Sequence, residues 1–280
     1  MTNLRKVVAV THGEATSDGD GVKMTRLIGS RAQAPLDPFL MLDFFGSEEA
    51  TDYLGGFPDH PHRGFETVTY MLAGRMRHWD NHGHSGVLEP GDVQWMKAGR
   101  GLIHSEMPEQ EQGLMRGFQL WINLPAKEKM TAPAYQEFKS SAMPVVEDEG
   151  VRTKLIAGTR AGVTGPVKTP HVDALYFDIE LGPGATFSQE LPEDHIAFFV
   201  LFEGEATIPG FDGPVALNGL SLASLSPGAS AALTAGPQGA RALLLAARPL
   251  REPIAWGGPF VMNTREEVIQ AYEDYRRGLF

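Results

Sequence analysis

Across residues 55–107 the chain is a series of short apolar or alternating runs, each stopped by a glycine or proline turn. Nowhere in it do apolar residues recur at the 3.6-residue spacing of a long helix. Residues 65–72 are rich in β-branched and aromatic side chains and stop at Gly74. Val87 and Leu88 run into Pro90-Gly91, and residues 93–96 run into the turn at Gly99 and Gly101. Further on, Phe118, Leu120, Ile122 and Leu124 alternate with Gln119, Trp121 and Asn123 at a period of two. Such a pattern folds as short strands joined by tight turns, and 32 glycines and 20 prolines in 280 residues accord with it.

The same stretch carries two pairs of ligand-type residues. His60 and His62 flank Pro61, and His104 and Glu106 flank Ser105. The i, i+2 spacing points both members of a pair to one face of a strand. Pro61 reinforces this by pushing His60 out of the helical region. Three neutral imidazoles and a carboxylate suit a borderline-soft divalent metal and leave positions free for water or substrate. Ser105 points the opposite way by alternation, so it is not a nucleophile. The run at residues 98–101 lacks the helix and Lys-Ser/Thr of a phosphate cradle. His82 and His84, in a Gly-rich turn, form another HxH without a partner pair. His78 reads as a strand-surface residue, and His12, His171 and His195 are isolated and structural.

The rest of the chain extends the β reading. Residues 6–11 read as a first strand. The apolar run 35–45, broken by Pro38, reads as buried irregular or edge structure. Residues 125–150 turn polar and proline-punctuated, which marks a crossing between domains at 1–135 and 136–280. Strands resume at 151–156, 174–181, 197–202, 206–208 and 242–246. The chain closes in a helix, with Thr264 and Glu267 set as a capping box and Val268, Tyr272 and Tyr275 along one face. The halves form a weak repeat: aligning Gly74 with Gly204 puts Glu190 and Pro192 under His60 and His62. Aligning Gly91 with Gly219 puts Ala232 and Thr234 under His104 and Glu106. No HxH or HxE follows residue 106, so the second half is a copy without a site.

Composition narrows the function classes. Hydrophobic content of 42% with 21% charged residues describes a soluble globular chain. A net charge of −11 without a basic block argues against unaided nucleic-acid binding. The absence of cysteine removes disulfides, thiolate metal sites and thiol nucleophiles. The N-terminus lacks the apolar core of a signal peptide, and no run is long enough to span a bilayer. A cytoplasmic location, no membrane association and a monomer are expected.

The motifs HPHRGFETVTYML, PGDVQWMKAGRGLIHSEMP, PLDPFLMLDFFG and PIAWGGPFVMNTREEVIQAYEDY together resemble the pirin family of the cupin superfamily, over essentially the whole chain and in the right order. The resemblance implies an all-β bicupin: two stacked antiparallel β-barrels of jelly-roll type with a short C-terminal helix. It implies one metal in the N-terminal barrel, held by His60, His62, His104 and Glu106. Fe(II) is the implied ion, with Mn, Ni, Cu, Co and Zn as alternatives. The wider cupin pattern has a ligand glutamate where Glu66 stands, so Glu66 is kept as a neighbour of the ligands. The loop around His82 and His84 departs from the family, which more often has Asp-Ser followed by Gly-Asn.

Some bacterial pirins resemble quercetin 2,3-dioxygenases, which implies a flavonol-like aromatic substrate, O2, and release of carbon monoxide. Glu106 is then the base for the flavonol 3-hydroxyl, and Phe57 and Trp95 are candidates for an aromatic entrance. The other reading implied by the resemblance is a redox-sensing regulator that binds a protein partner, a transcription factor or a metabolic enzyme, without turnover. Because the second half lacks the ligand pairs, one tightly bound metal per chain is expected by elemental analysis. A second ion that survives loss of His60 would overturn the repeat argument.

Overall fold

The computed structural model describes residues 3–29 and 36–280. Pro35, at the start of the apolar run 35–45, lies outside them. The chain sorts into two compact units, Glu14–Ser140 with Leu250–Phe280 and Met1–Gly13 with Ser141–Pro249. The boundaries expected from sequence, 1–135 and 136–280, kept each terminus with its sequence neighbours. Here each terminus joins the other half, because hydrogen bonding outweighs proximity along the chain. Strand Val7–His12 pairs antiparallel with Ser221–Leu225, Arg63 binds Asp274 at 2.7 Å, and strand Ala134–Phe138 pairs with Val93–Lys97.

Both units are built from antiparallel strand pairs, and the one α-helix among the described residues is Arg265–Arg276. Thr264 and Glu267 form the capping box at its start, as the spacing requires. Val268 is buried, and the Tyr272 ring packs edge-on to Phe260 with a centroid separation of 4.8 Å.

In the unit made of Met1–Gly13 and Ser141–Pro249, one sheet of nine strands surrounds an apolar core that includes Phe177, Phe187, Phe199, Leu233 and Leu244. Fully burying each such side chain contributes about 1.5–3 kcal/mol. The repeat is visible in its turns. Gly74 and Gly204 both take φ near +80° and +73°, a region open to glycine at little cost. The register differs by two from the sequence alignment: Glu190 pairs with Ser230, and Ala232 pairs with Ser188. No imidazole stands at any of these four positions.

The unit made of Glu14–Ser140 and Leu250–Phe280 has two main sheets. A seven-stranded sheet runs in the order Ala134–Phe138, Val93–Lys97, Phe65–Ala73, Met115–Asn123, Phe39–Ser47, Val22–Ile28 and Glu14–Asp18. A four-stranded sheet runs Phe57–His62, Leu102–Pro108, Met76–Asp80 and Ser85–Leu88. Their inner faces meet at one end in an apolar cluster of Met24, Phe45, Met71, Met76 and Leu88. The irregular or edge structure expected at 35–45 is instead an interior strand, Phe39–Ser47, paired on both sides. Pro38 lies just ahead of that strand and so removes no donor from its ladder.

One register feature governs the interior of this unit. Glu137, Gln94, Thr69, Gln119, Asp43, Arg26 and Glu14 stand directly opposite one another across all seven strands. Gln94, Thr69 and Asp43 in this row are each 1% exposed. The apolar set Phe118, Leu120 and Ile122 therefore faces the other side of the sheet, where it is also fully buried.

The segment after His62 is tied down by two buried cations. Arg63 donates to the Arg100 carbonyl at 2.6 Å and to Asp274 at 2.7 Å. Lys129 Nζ donates to the Gly64 carbonyl, the Val261 carbonyl and Asn123 Oδ1 at 2.6–2.8 Å. Lys129→Met leaves those three acceptors without their donor and is expected to lower unfolding stability by roughly 3 kcal/mol. Urea denaturation checks it, and a change below about 1 kcal/mol would show that the three bonds contribute little net stability.

Candidate metal centre

The HPH strand and the HSE strand are antiparallel neighbours, and their register sets His60 opposite His104 and Leu102 opposite His62. Directly opposed residues have Cβ atoms about 5 Å apart. Adding the i, i+2 partner brings three imidazoles to one spot. Ring centroids lie 4.7 Å apart for His60–His62, 4.3 Å for His60–His104 and 5.0 Å for His62–His104. One ligand atom from each of the three falls within 4.8 Å of the others, a group able to hold a metal ion.

The protonation pattern favours a cation. His60 Nδ1 lies 2.8 Å from the Pro58 carbonyl, an acceptor only, so Nδ1 carries a hydrogen and Nε2 is the ring atom left for the cluster. That Nε2 lies 3.0 Å from His62 Nε2. Burial holds His62 well below its ordinary pKa, His60 adds to the effect and the Pro259 carbonyl opposes it. Burial likewise depresses His104, followed by His60, His62 and His78. His104 Nε2 is buried without a hydrogen-bond partner among the described residues. Converging imidazoles, two of them kept neutral by burial, are what a divalent metal of borderline softness requires, so the residues fit a metal.

Glu106 follows His104 on the same strand. The pairing slips by one residue between His104 and Glu106, which sets Glu106 opposite Phe57. Its carboxylate, nearly fully buried, takes a 2.7 Å hydrogen bond from the Thr69 hydroxyl and a 3.3 Å bond from Gln119 Nε2. Both donors belong to the polar row of the facing sheet. Glu106 also lines the cavity that exposes His60 and His62, a space of about 400 Å³. The Arg26–Asp43 pair, bonded twice at 2.9 and 2.7 Å, forms another part of its wall.

Other sequence expectations fall differently. Glu66 faces away from the imidazoles, because it alternates with Thr69 and Phe65 along its strand, and its Oε2 accepts from Trp95 Nε1 at 2.8 Å. Trp95 therefore lies on that far face, fully buried, and not at the entrance. Phe57 does line the cavity, together with Trp121 and Trp256, which sequence reasoning passed over. His78 is buried and not on the strand surface; it stands opposite Glu106, with Nε2 2.8 Å from Glu137. His84 Nδ1 sits 3.1 Å from buried Asp80, while its ring remains largely exposed. Ser105 stands opposite exposed Trp79, away from the ligands.

Two antiparallel units, one of them gathering three imidazoles inside, define a protein with two cupin-type domains and a candidate metal centre. The sequence pattern of pirin matches residues 21–122, and that of the pirin C-terminal cupin domain matches residues 176–280. The chain belongs to the pirin family. It is 52% identical to a pirin-like protein of Caulobacter vibrioides, over 99% of each chain. It is 42% identical to pirin of Homo sapiens, over 99% of this chain and 94% of that one. A solved quercetin 2,3-dioxygenase from Acinetobacter baumannii superposes with a TM-score of 0.90 at 34% identity, covering 99% of this chain and 98% of the other.

Burial pushes the Glu66 carboxyl from its ordinary 4.5 up to about 7, although the Trp95 bond and Lys97 pull it down. The folded state then holds a proton that the unfolded chain has lost, so stability falls as pH rises from 4.5 to 7. Glu66→Gln keeps an acceptor for Trp95 and removes that loss. The variant is expected to gain about 2 kcal/mol on the parent between pH 4.5 and pH 8. Urea melts at the two pH values test it, and a constant difference would place the carboxyl's titration elsewhere.

Proposed function

We propose that this protein is a metal-dependent dioxygenase that opens the central ring of flavonols such as quercetin with O2 and releases carbon monoxide. The observation that carries the reading is three converging imidazoles with, beside them, a cavity-lining carboxylate held by Thr69 and Gln119. The likeness to the Acinetobacter baumannii quercetin 2,3-dioxygenase supports the substrate class.

His60, His62 and His104 would hold the metal, taken to be Fe(II), with Glu106 as fourth ligand. Bound there, the metal would act as a Lewis acid that stabilises the anion of the 3-hydroxyl. The protein's own residues do the rest. Glu106 accepts the 3-hydroxyl proton, which needs a reach of about 3 Å. Thr69 and Gln119 keep its carboxylate turned toward the cavity during that transfer. Trp121 and Phe65 pack beside His62 and exclude water from that side, with ring separations of 5.1 and 5.0 Å. Arg26 and Asp43 offer a donor and an acceptor for oxygen atoms of the substrate.

Glu106→Gln preserves the three imidazoles and is expected to retain metal. Its flavonol turnover per bound metal should fall by at least ~10²-fold, the usual loss with a general base. Anaerobic loading, addition of flavonol and O2, and detection of carbon monoxide give the reading. Equal turnover per metal in the two proteins would remove Glu106 as the base. Absence of carbon monoxide from the loaded wild type would reject the dioxygenase and favour a regulatory role.

A further inference from the structure

Trp256 sits on a short hairpin, Ala255–Gly257 with Phe260–Met262, and forms part of the rim of the metal-site cavity. It is 44% exposed, yet its ring is held in place by a 2.9 Å bond from Nε1 to the Gly258 carbonyl. Core packing does not account for it, since the adjacent cluster of Leu40, Phe65, Val261 and Trp121 closes without Trp256. Its ring lies 5.9 Å from Trp121 at an interplanar angle of 30°. Trp121 continues the wall inward, 4.3 Å from Phe65 and 5.1 Å from His62. The outcome is an aromatic surface that leads from solvent to an imidazole of the site.

We infer that Trp256 is a specificity-determining residue that selects planar aromatic substrates by stacking at the cavity mouth, with Trp121 extending the same wall. The inference rests on the flavonol reading and adds to it that ring planarity, and not only the hydroxyl pattern, is read on entry. A flat conjugated ring system can lie on an indole face with offset stacking. A ligand with the same hydroxyls on a saturated, puckered central ring loses part of that contact. Stacking on an aromatic side chain is sequence- and substituent-tolerant because it uses the π-face alone.

The test measures binding, so it does not depend on turnover. Calorimetry would compare quercetin with its 2,3-saturated counterpart on wild type, Trp256→Ala and Trp256→Phe, each with metal content determined. Trp256→Ala should weaken quercetin binding about tenfold, which is about 1.4 kcal/mol, and weaken the puckered ligand less than about twofold. Trp256→Phe should recover quercetin binding to within about threefold of wild type, and metal content should not change in either variant. No change for quercetin, equal losses for both ligands, or no binding of either to wild type would overturn the inference. If the planar preference holds while no carbon monoxide is released, the dioxygenase reading fails and the role of Trp256 stands.

Discussion

The candidate centre depends on one pairing, that of strand Phe57–His62 with strand Leu102–Pro108. It sets His60 against His104 and, through the i, i+2 spacing, brings in His62. Two of the three imidazoles, His62 and His104, are buried, and the cost of removal from water is met by keeping them neutral. The pairing is held from outside by the residues just after His62. Arg63 reaches Asp274 and the Arg100 carbonyl, while Lys129 binds the Gly64 and Val261 carbonyls. The C-terminal segment thereby holds the histidine strand in place and also supplies Trp256 to the cavity rim.

Facing that pairing is the polar row that crosses seven strands. A row of Gln, Thr, Asp and Arg in an interior is costly unless each group finds a partner. Here Arg26 takes Asp43 twice, Thr69 and Gln119 take Glu106, and Gln94 takes Glu137. The satisfied network gives Glu106 a fixed direction, because its two oxygens have separate donors. The slip of register next to His104 sets Glu106 opposite Phe57, and both line the cavity.

Much of this was legible in the sequence for identifiable reasons. Strands with turn residues at both ends, such as Phe65–Ala73 and Val93–Lys97, follow from local chemistry, as does the helix cap at Thr264. The histidine spacing was legible because strand geometry has a period of two. The direction of a strand's faces is not legible from polarity alone. The alternation over residues 118–124 is clear, yet it is Gln119 and Trp121 that face the cavity. Pro38 read as a break in a strand that in fact begins after it. His78 read as exposed because nothing local signals the Glu137 that meets it from a strand far along the chain.

By itself the sequence determined the strand and turn pattern, the i, i+2 spacing of the two ligand-type pairs, the lack of such a pair after residue 106 and the capped terminal helix. These rest on φ/ψ preferences and side-chain periods that act within a few residues. Only the tertiary structure decided which unit each terminus joins, which face of each strand turns inward, and that three histidines gather while Glu106 stands beside them. It alone brought Gln119, Trp121 and Trp256 to one cavity. Those outcomes depend on register between strands distant in sequence, and a shift of one residue would turn every side chain of a strand to the opposite face.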